Sequence, residues 1–393
     1  MSAPTVTQAP DRPNGMETKV IHAGEPKPRF GGAICLPIFQ SSIFEVSEGV
    51  DYHDIPYIRL SNTPNHVAVQ EKLAVLESAE AALVTGSGMA AIATTLLSVL
   101  SHGDHLLVQR RLYGGSYTFI THMLPRFGIA HDFIDSTAPS DWVDKIRPNT
   151  KAIYVETISN PTADVPDLPA VVAFAKSHDL VSLIDNTVAS PMNFRPPELG
   201  FDLSLHSCTK YLNGHTDIVA GAVIGRADLV EQVRRDLNHL GGILDPHACN
   251  LLHRGIKTLA VRMRYHNDSA MAIARFLESH SAVTTVNYPG LSSHPSHDRA
   301  REALDGYSGL LSFEVDGDGT VAQRVMERMH IPILTGSLGG VESLVSRPAT
   351  LSHVGMTPEE RAKAGVSDNL IRLSVGLEST DDLIEDLELA LSQ

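Results

Sequence analysis

Short apolar runs alternate with longer stretches of helical periodicity between residues 80 and 225. The runs Ala81 to Thr85, His105 to Gln109, His131 to Ile134, Ala152 to Glu156, Val181 to Ile184, Leu203 to His206 and Ile218 to Ile224 have the length and composition of strands. Met89 to Leu100, Ser116 to Phe127 and Leu168 to Ser177 read as helices between them, with Gly128 placed to cap the second. Strands that alternate with helices predict an α/β fold, a mostly parallel seven-stranded sheet flanked by helices. Sheets of this kind bind ligands at the carboxyl ends of their strands, so chemistry is expected just after each run. A long helical stretch from Cys249 to His280 follows. Beyond it, Leu310 to Val315 and Leu370 to Val375 read as strands and Val321 to Met329 and Asp381 to Leu391 as helices, a small α+β unit. The opening stretch to about Asp54 has Pro, Gly and Ser but little periodicity, which suits an arm packing elsewhere. The expected division is an arm (1–55), a cofactor-binding domain (56–248) and a C-terminal domain (249–393).

Composition narrows the function classes. With 42% hydrophobic and 20% charged residues the chain can fold, and its longest apolar runs are too short and interrupted to span a bilayer. A net charge of -15 argues against a nucleic-acid surface, which needs clustered Lys and Arg. Met1 to Gly15 lack the basic start and apolar stretch of a secretion signal and read as a loose tail. Cys35, Cys208 and Cys249 are too few and too scattered for a disulfide framework, so a reducing cytoplasm is expected. His294 and His297 have chelate-like spacing, but Pro295 between them breaks the helix such a pair needs, and no metal is expected.

Three segments at expected strand ends carry candidate chemistry. Ser207-Cys208-Thr209-Lys210 follows an apolar run: the amine of Lys210 suits the aldehyde of pyridoxal 5'-phosphate, and the Ser207 and Thr209 hydroxyls suit its phosphate. A lysine after a strand can equally be merely solvated. One strand earlier, Asp185-Asn186-Thr187 offers a carboxylate that can pair with a pyridine nitrogen and keep it protonated, although Asp-Asn also makes ordinary turns. Gly86-Ser87-Gly88-Met89 opens a helix whose first N–H groups, at Gly88 and Met89, suit a phosphate. Tyr113 could stack on a cofactor ring or be a half-buried tyrosine at a helix start. Asn160 could bond the cofactor's ring hydroxyl or simply form an Asn-Pro turn.

Together these residues resemble the Cys/Met-metabolism (trans-sulfuration) family of pyridoxal-phosphate enzymes, which includes cystathionine γ-lyase, cystathionine γ-synthase, cystathionine β-lyase and methionine γ-lyase. The resemblance runs from about Thr18 to Leu389, through Thr18 to Gly24, Tyr57 to Arg59, Ser87 to Met89, Tyr113 to Gly115, Asp185 to Thr187, His206 to His215, Arg254-Gly255, Tyr288 to Gly290, Ser337 to Gly340 and Arg372 to Gly376. It implies a fold type I architecture and a homotetramer of two dimers that share active sites, with Tyr57 and Arg59 reaching the neighbouring subunit's phosphate. It also implies Lys210, Asp185 and Tyr113 as catalytic residues, Thr187 among those that bind the cofactor, and Arg372, with Ser337 and Tyr57, as binders of an amino-acid substrate. The implied activity is γ-elimination or γ-replacement on homoserine-derived or thioether amino acids. The alternatives are a cystathionine β-lyase, an O-acyl-homoserine sulfhydrylase, or a catalytically silent cofactor-binding scaffold. Three positions depart from the family pattern: Asn62-Thr63-Pro64, Gly115, and Gly336, where cystathionine-processing members often carry an acid.

Overall fold

The apolar runs do form strands, and their continuity reflects burial on both faces. A computed structural model describes residues 15–46, 48–50, 52 and 55–392; most of the loose tail and Asp54 lie outside them. Seven strands, β1 (Ala81–Thr85), β2 (His105–Gln109), β3 (Ala130–Ile134), β4 (Thr150–Glu156), β5 (Val181–Asp185), β6 (Leu203–Ser207) and β7 (Gly221–Gly225), make one sheet in the order β1-β7-β6-β5-β4-β2-β3. Only β7 runs antiparallel, against β1 and β6. Alternate side chains serve opposite cores: Leu107, Ile153 and Ile184 pack with the helix Leu168–Ser177, whereas Leu106, Tyr154 and Leu183 pack with the helices Gly88–Val99 and Ala227–Leu240.

A second sheet has the order β10-β11-β12-β9-β8, from β8 (Val283–Asn287), β9 (Leu310–Val315), β10 (Ile333–Leu334), β11 (Leu344–Ser346) and β12 (Leu370–Ser374). Leu311, Phe313, Ile371 and Leu373 form its own core with the helices Leu259–Ser279, Gly319–Arg328 and Thr380–Leu391.

Two helices differ from expectation. The stretch expected as one helix from Cys249 to His280 is two, Pro246–Ile256 and Leu259–Ser279. At the break, the Lys257 and Thr258 amides bond three residues back, and Arg262 Nη2 donates to the Gly255 carbonyl at 3.0 Å. The helix expected from Ser116 begins at Gly114 and passes through a wide turn over Phe119–Met123 into a tight one over Leu124–Phe127. Pro125 lacks an amide hydrogen, which removes a regular helical bond there. Gly128, at φ 75°, ends it as expected. Among the described residues, the opening arm holds a short helix, α1 (Met16–His22), a 3-10 turn at Phe30–Gly32 and an isolated bridge from Ile43 to Tyr57, and its Ile34 and Ile43 are 75% and 67% exposed.

Candidate active site

The parallel strands β1, β2, β4, β5 and β6 all end on one edge of the first sheet, and that edge collects the candidate residues. A cavity of about 430 Å³ lies there, lined by Gly88, Met89, Tyr113, Asn160, Asp185, Thr187, Ser207, Thr209, Lys210, Ser337 and Arg372, among others. Eleven of the thirteen residues singled out from the sequence are thus brought together. Tyr57 and Arg59 are not: Arg59 donates to Asn238 O at 2.7 Å and to the Tyr52 hydroxyl at 2.8 Å, and its guanidinium stacks over the Tyr57 ring.

One wall of the cavity is built from the start of the helix Gly88–Val99. Ser87 caps this helix by accepting from the Ala90 amide at 2.9 Å, which leaves the first-turn N–H groups of Gly88 and Met89 for another acceptor. Gly88 is required by close packing: a Cβ there would stand 2.6 Å from the Ser207 Cβ. The loop after β6 is tied to that after β5, because the Ser207 amide donates to Thr187 Oγ1 at 2.8 Å. Thr209 Oγ1 lies between the amide and carbonyl of Ala220, 3.0 and 3.2 Å away, so it must give up the longer bond to donate to an anion.

Lys210, Ser337 and Arg372 form a chain of contacts across the two sheets. Lys210 Nζ donates to Ser337 Oγ at 2.6 Å, and Arg372 Nη2 donates to the Ser337 carbonyl at 2.7 Å. Ser337 sits at φ 80°, a strained left-handed conformation held by these contacts. Burial, reinforced by the charge of Arg372, pulls the Lys210 amine down to about 8. Arg372 stands in the middle of the second sheet, on β12, and is only 4% exposed. Its Nη1 donates to Asn160 Oδ1 at 3.2 Å, while its Nε has no partner among the described residues. A buried guanidinium held by neutral oxygens is a ready receptor for a carboxylate.

Opposite these cations lie two acids. Asp185 accepts from the Thr187 amide at 2.9 Å; burial pushes its carboxyl up, opposed by the Thr187 bonds and the nearby His206. Glu156, the cross-strand partner of Asp185 in β4, was read from the sequence only as a strand end. It lines the same cavity, and an acid closing a buried run was the available signal. Beneath the site, His206 Nε2 and Glu77 Oε1 are 2.6 Å apart, both buried, and Glu77 also accepts from Asn186 Nδ2 at 2.8 Å. The outer wall is uncharged: Gly336, Leu351, Ser352 and Val219 line it. A Cβ on Gly336 would be 3.3 Å from Leu351 Cδ2, and one on Gly114 would be 1.9 Å from the Ser352 carbonyl oxygen.

Among the described residues no helix is long and apolar enough to cross a membrane, and no group of three or more His, Cys, Asp or Glu converges on a metal position. A family model described as Cys/Met metabolism PLP-dependent enzyme matches residues 17–392. A cystathionine beta-lyase of Bacillus subtilis (strain 168) is 41% identical over 379 residues, 96% of either chain. An L-methionine gamma-lyase of Porphyromonas gingivalis is 39% identical, over 95% of this chain and 96% of that protein. The crystal structure of a cystathionine gamma synthase from Xanthomonas oryzae pv. oryzae in complex with cystathionine superposes with a TM-score of 0.93 at 38% identity, covering 97% of this chain and 98% of that one.

Proposed function

This chain belongs to the Cys/Met-metabolism family of PLP-dependent enzymes, and on that premise we propose that it performs γ-elimination or γ-replacement on a homoserine-derived or thioether amino acid. The observation that carries the reading is the line from Lys210 through the hydroxyl and carbonyl of Ser337 to Arg372, a weakly basic amine one residue from a carboxylate receptor.

The residues present fit the cofactor. Gly88 and Met89 offer helix-start amides, Ser207 and Thr209 hydroxyls, Asp185 a buried acid, and Lys210 an amine whose ammonium form is disfavoured by burial. Those residues, with Tyr113, Asn160 and Thr187, would hold it, and Tyr57 and Arg59 would hold that of a second subunit. When bound, pyridoxal phosphate supplies an aldehyde for the substrate amine and a protonated ring that accepts electrons from Cα. Arg372 orients the substrate by its carboxylate. Lys210, a base near neutral pH, would take the Cα proton and then move a second one at Cβ, which γ chemistry requires. Asp185 holds the proton on the ring nitrogen. Tyr113, which lines the same cavity, would assist the leaving group, and the uncharged wall of Gly336, Leu351 and Val219 favours an uncharged distal substituent.

The same proposal includes the three-part division at about residues 55 and 248, a cytoplasmic location, and a tetramer of two dimers. The tetramer is supported by Arg59 being bound away from its own cavity and by the exposed Ile34 and Ile43 of the arm. The 41% identical cystathionine beta-lyase favours β cleavage as the second reading. A screen of keto acids and thiols released from cystathionine, methionine, cysteine and acyl-homoserines separates them. The proposal expects 2-oxobutanoate from thioether substrates or consumption of an acyl-homoserine when a thiol is present. Pyruvate from cystathionine would replace it with β cleavage, and no turnover of any of these would leave a cofactor-binding scaffold.

A further inference from the structure

Glu156 closes β4 with its side chain 3% exposed, beside Asp185 in the register of the sheet. Placing two carboxyls together away from water is costly unless each meets donors that need it. Both oxygens of Glu156 are taken by main-chain amides of different loops: Oε1 by Tyr113 N at 2.6 Å, Oε2 by Asn160 N at 3.3 Å. Each loop carries a functional side chain. Tyr113 lines the cavity, and Asn160 accepts from Arg372 Nη1 at 3.2 Å. The acid is itself fixed, because its amide donates to Gln109 Oε1 at 2.9 Å and Gln109 Nε2 donates to Arg111 O at 2.6 Å on the way to Tyr113.

Resting on the function read above, we propose that Glu156 is a positioning residue: one carboxyl that sets both the phenol of Tyr113 and, through Asn160, the guanidinium of Arg372. Only a group with two acceptor oxygens can join two N–H donors in this way. A glutamine would turn an NH₂ toward one of them. Burial, with Asp185 alongside, pushes the Glu156 carboxyl well above the ordinary carboxylate range. The Tyr113 and Asn160 amides oppose that push, which is the electrostatic reason both oxygens are engaged as acceptors.

The test uses the cofactor-loaded enzyme with Glu156→Gln and, because that variant can fail to fold, Glu156→Asp, which keeps both acceptor oxygens on a shorter stem. In Glu156→Gln we expect KM to rise and kcat to fall, each by about fivefold or more. The cofactor absorption band should shift while the melting temperature stays near that of the parent, and Glu156→Asp should recover part of both kinetic losses. In a Tyr113→Ala background the further fall in kcat from Glu156→Gln should be less than about twofold, since the phenol is gone, while the rise in KM that runs through Asn160 and Arg372 should persist. A folded Glu156→Gln enzyme with unaltered KM, kcat and band overturns the proposal, and so does a full multiplicative loss of kcat in the Tyr113→Ala background. If the parent turns over no amino acid, the functional reading fails by itself. The absorption band of Glu156→Gln against that of the parent then still decides the role of Glu156.

Discussion

Exchanging Arg372 for Gln removes the cationic receptor while leaving Lys210, Asp185 and the helix-start amides intact. The guanidinium is nearly fully buried, so its bonds to a bound carboxylate are made with little competition from water. A hydrogen bond to a charged group contributes about 1.5–3 kcal/mol, and a two-pronged grip roughly 3–5 kcal/mol. At about 1.4 kcal/mol per tenfold, kcat/KM should fall roughly a hundredfold to a few thousandfold. Part of any loss could come from Asn160 Oδ1 and the Ser337 carbonyl, which the same guanidinium supports. Steady-state assays with the free amino acid and with its methyl ester separate the two effects, because the ester presents no negative charge. The acid should show the full penalty and the ester less than about fivefold. An equal loss on both would refute the carboxylate grip and leave Arg372 as a brace for its neighbours.

Other outcomes follow from the same geometry. Burial and Arg372 favour the neutral amine of Lys210, so the rate at which apoenzyme captures pyridoxal phosphate, followed by absorbance, should rise as pH increases and level off above about 8. A midpoint near 10.5, the ordinary lysine value, would contradict this. Gly114→Ala puts a methyl against the Ser352 carbonyl, with backbone on both sides, and should cost about 1–3 kcal/mol in urea unfolding and displace the outer wall of the cavity. Unchanged stability would show that the two segments separate freely. His206→Ala strands Glu77 in the interior and should cost about 3–5 kcal/mol, whereas Glu77→Leu combined with His206→Leu should recover most of that loss by the same measurement.

Legibility in the sequence followed burial and local pattern. Inner strands such as β2 and β7 were readable because both faces are covered and their runs are almost wholly apolar, whereas the half-buried edge strand β3 carries His131 and Asp132. β10 and β11, two and three residues long, are too short to show a period, and their pairing is set by distant strands. Lys210 and Asp185 stood out because each ends such a run beside small polar residues. Glu156 ends one too, but its bonds go to main-chain amides of residues 113 and 160, a relation with no sequence motif. The Gly336–Leu351 approach was likewise hidden, since it joins two irregular segments on either side of β11.

Lys210 follows the last residues of β6 in the first sheet, Arg372 lies on β12 in the second, and Ser337 is hydrogen-bonded to both. The residues proposed to hold the cofactor are therefore encoded in one stretch of the gene, and the proposed carboxylate receptor Arg372, with Gly336, Leu351 and Ser352 of the outer wall, in another. Drift in the second stretch can alter which compound is consumed while the first continues to dictate how it is consumed, which is a route by which a lineage could diversify its diet without relearning its chemistry.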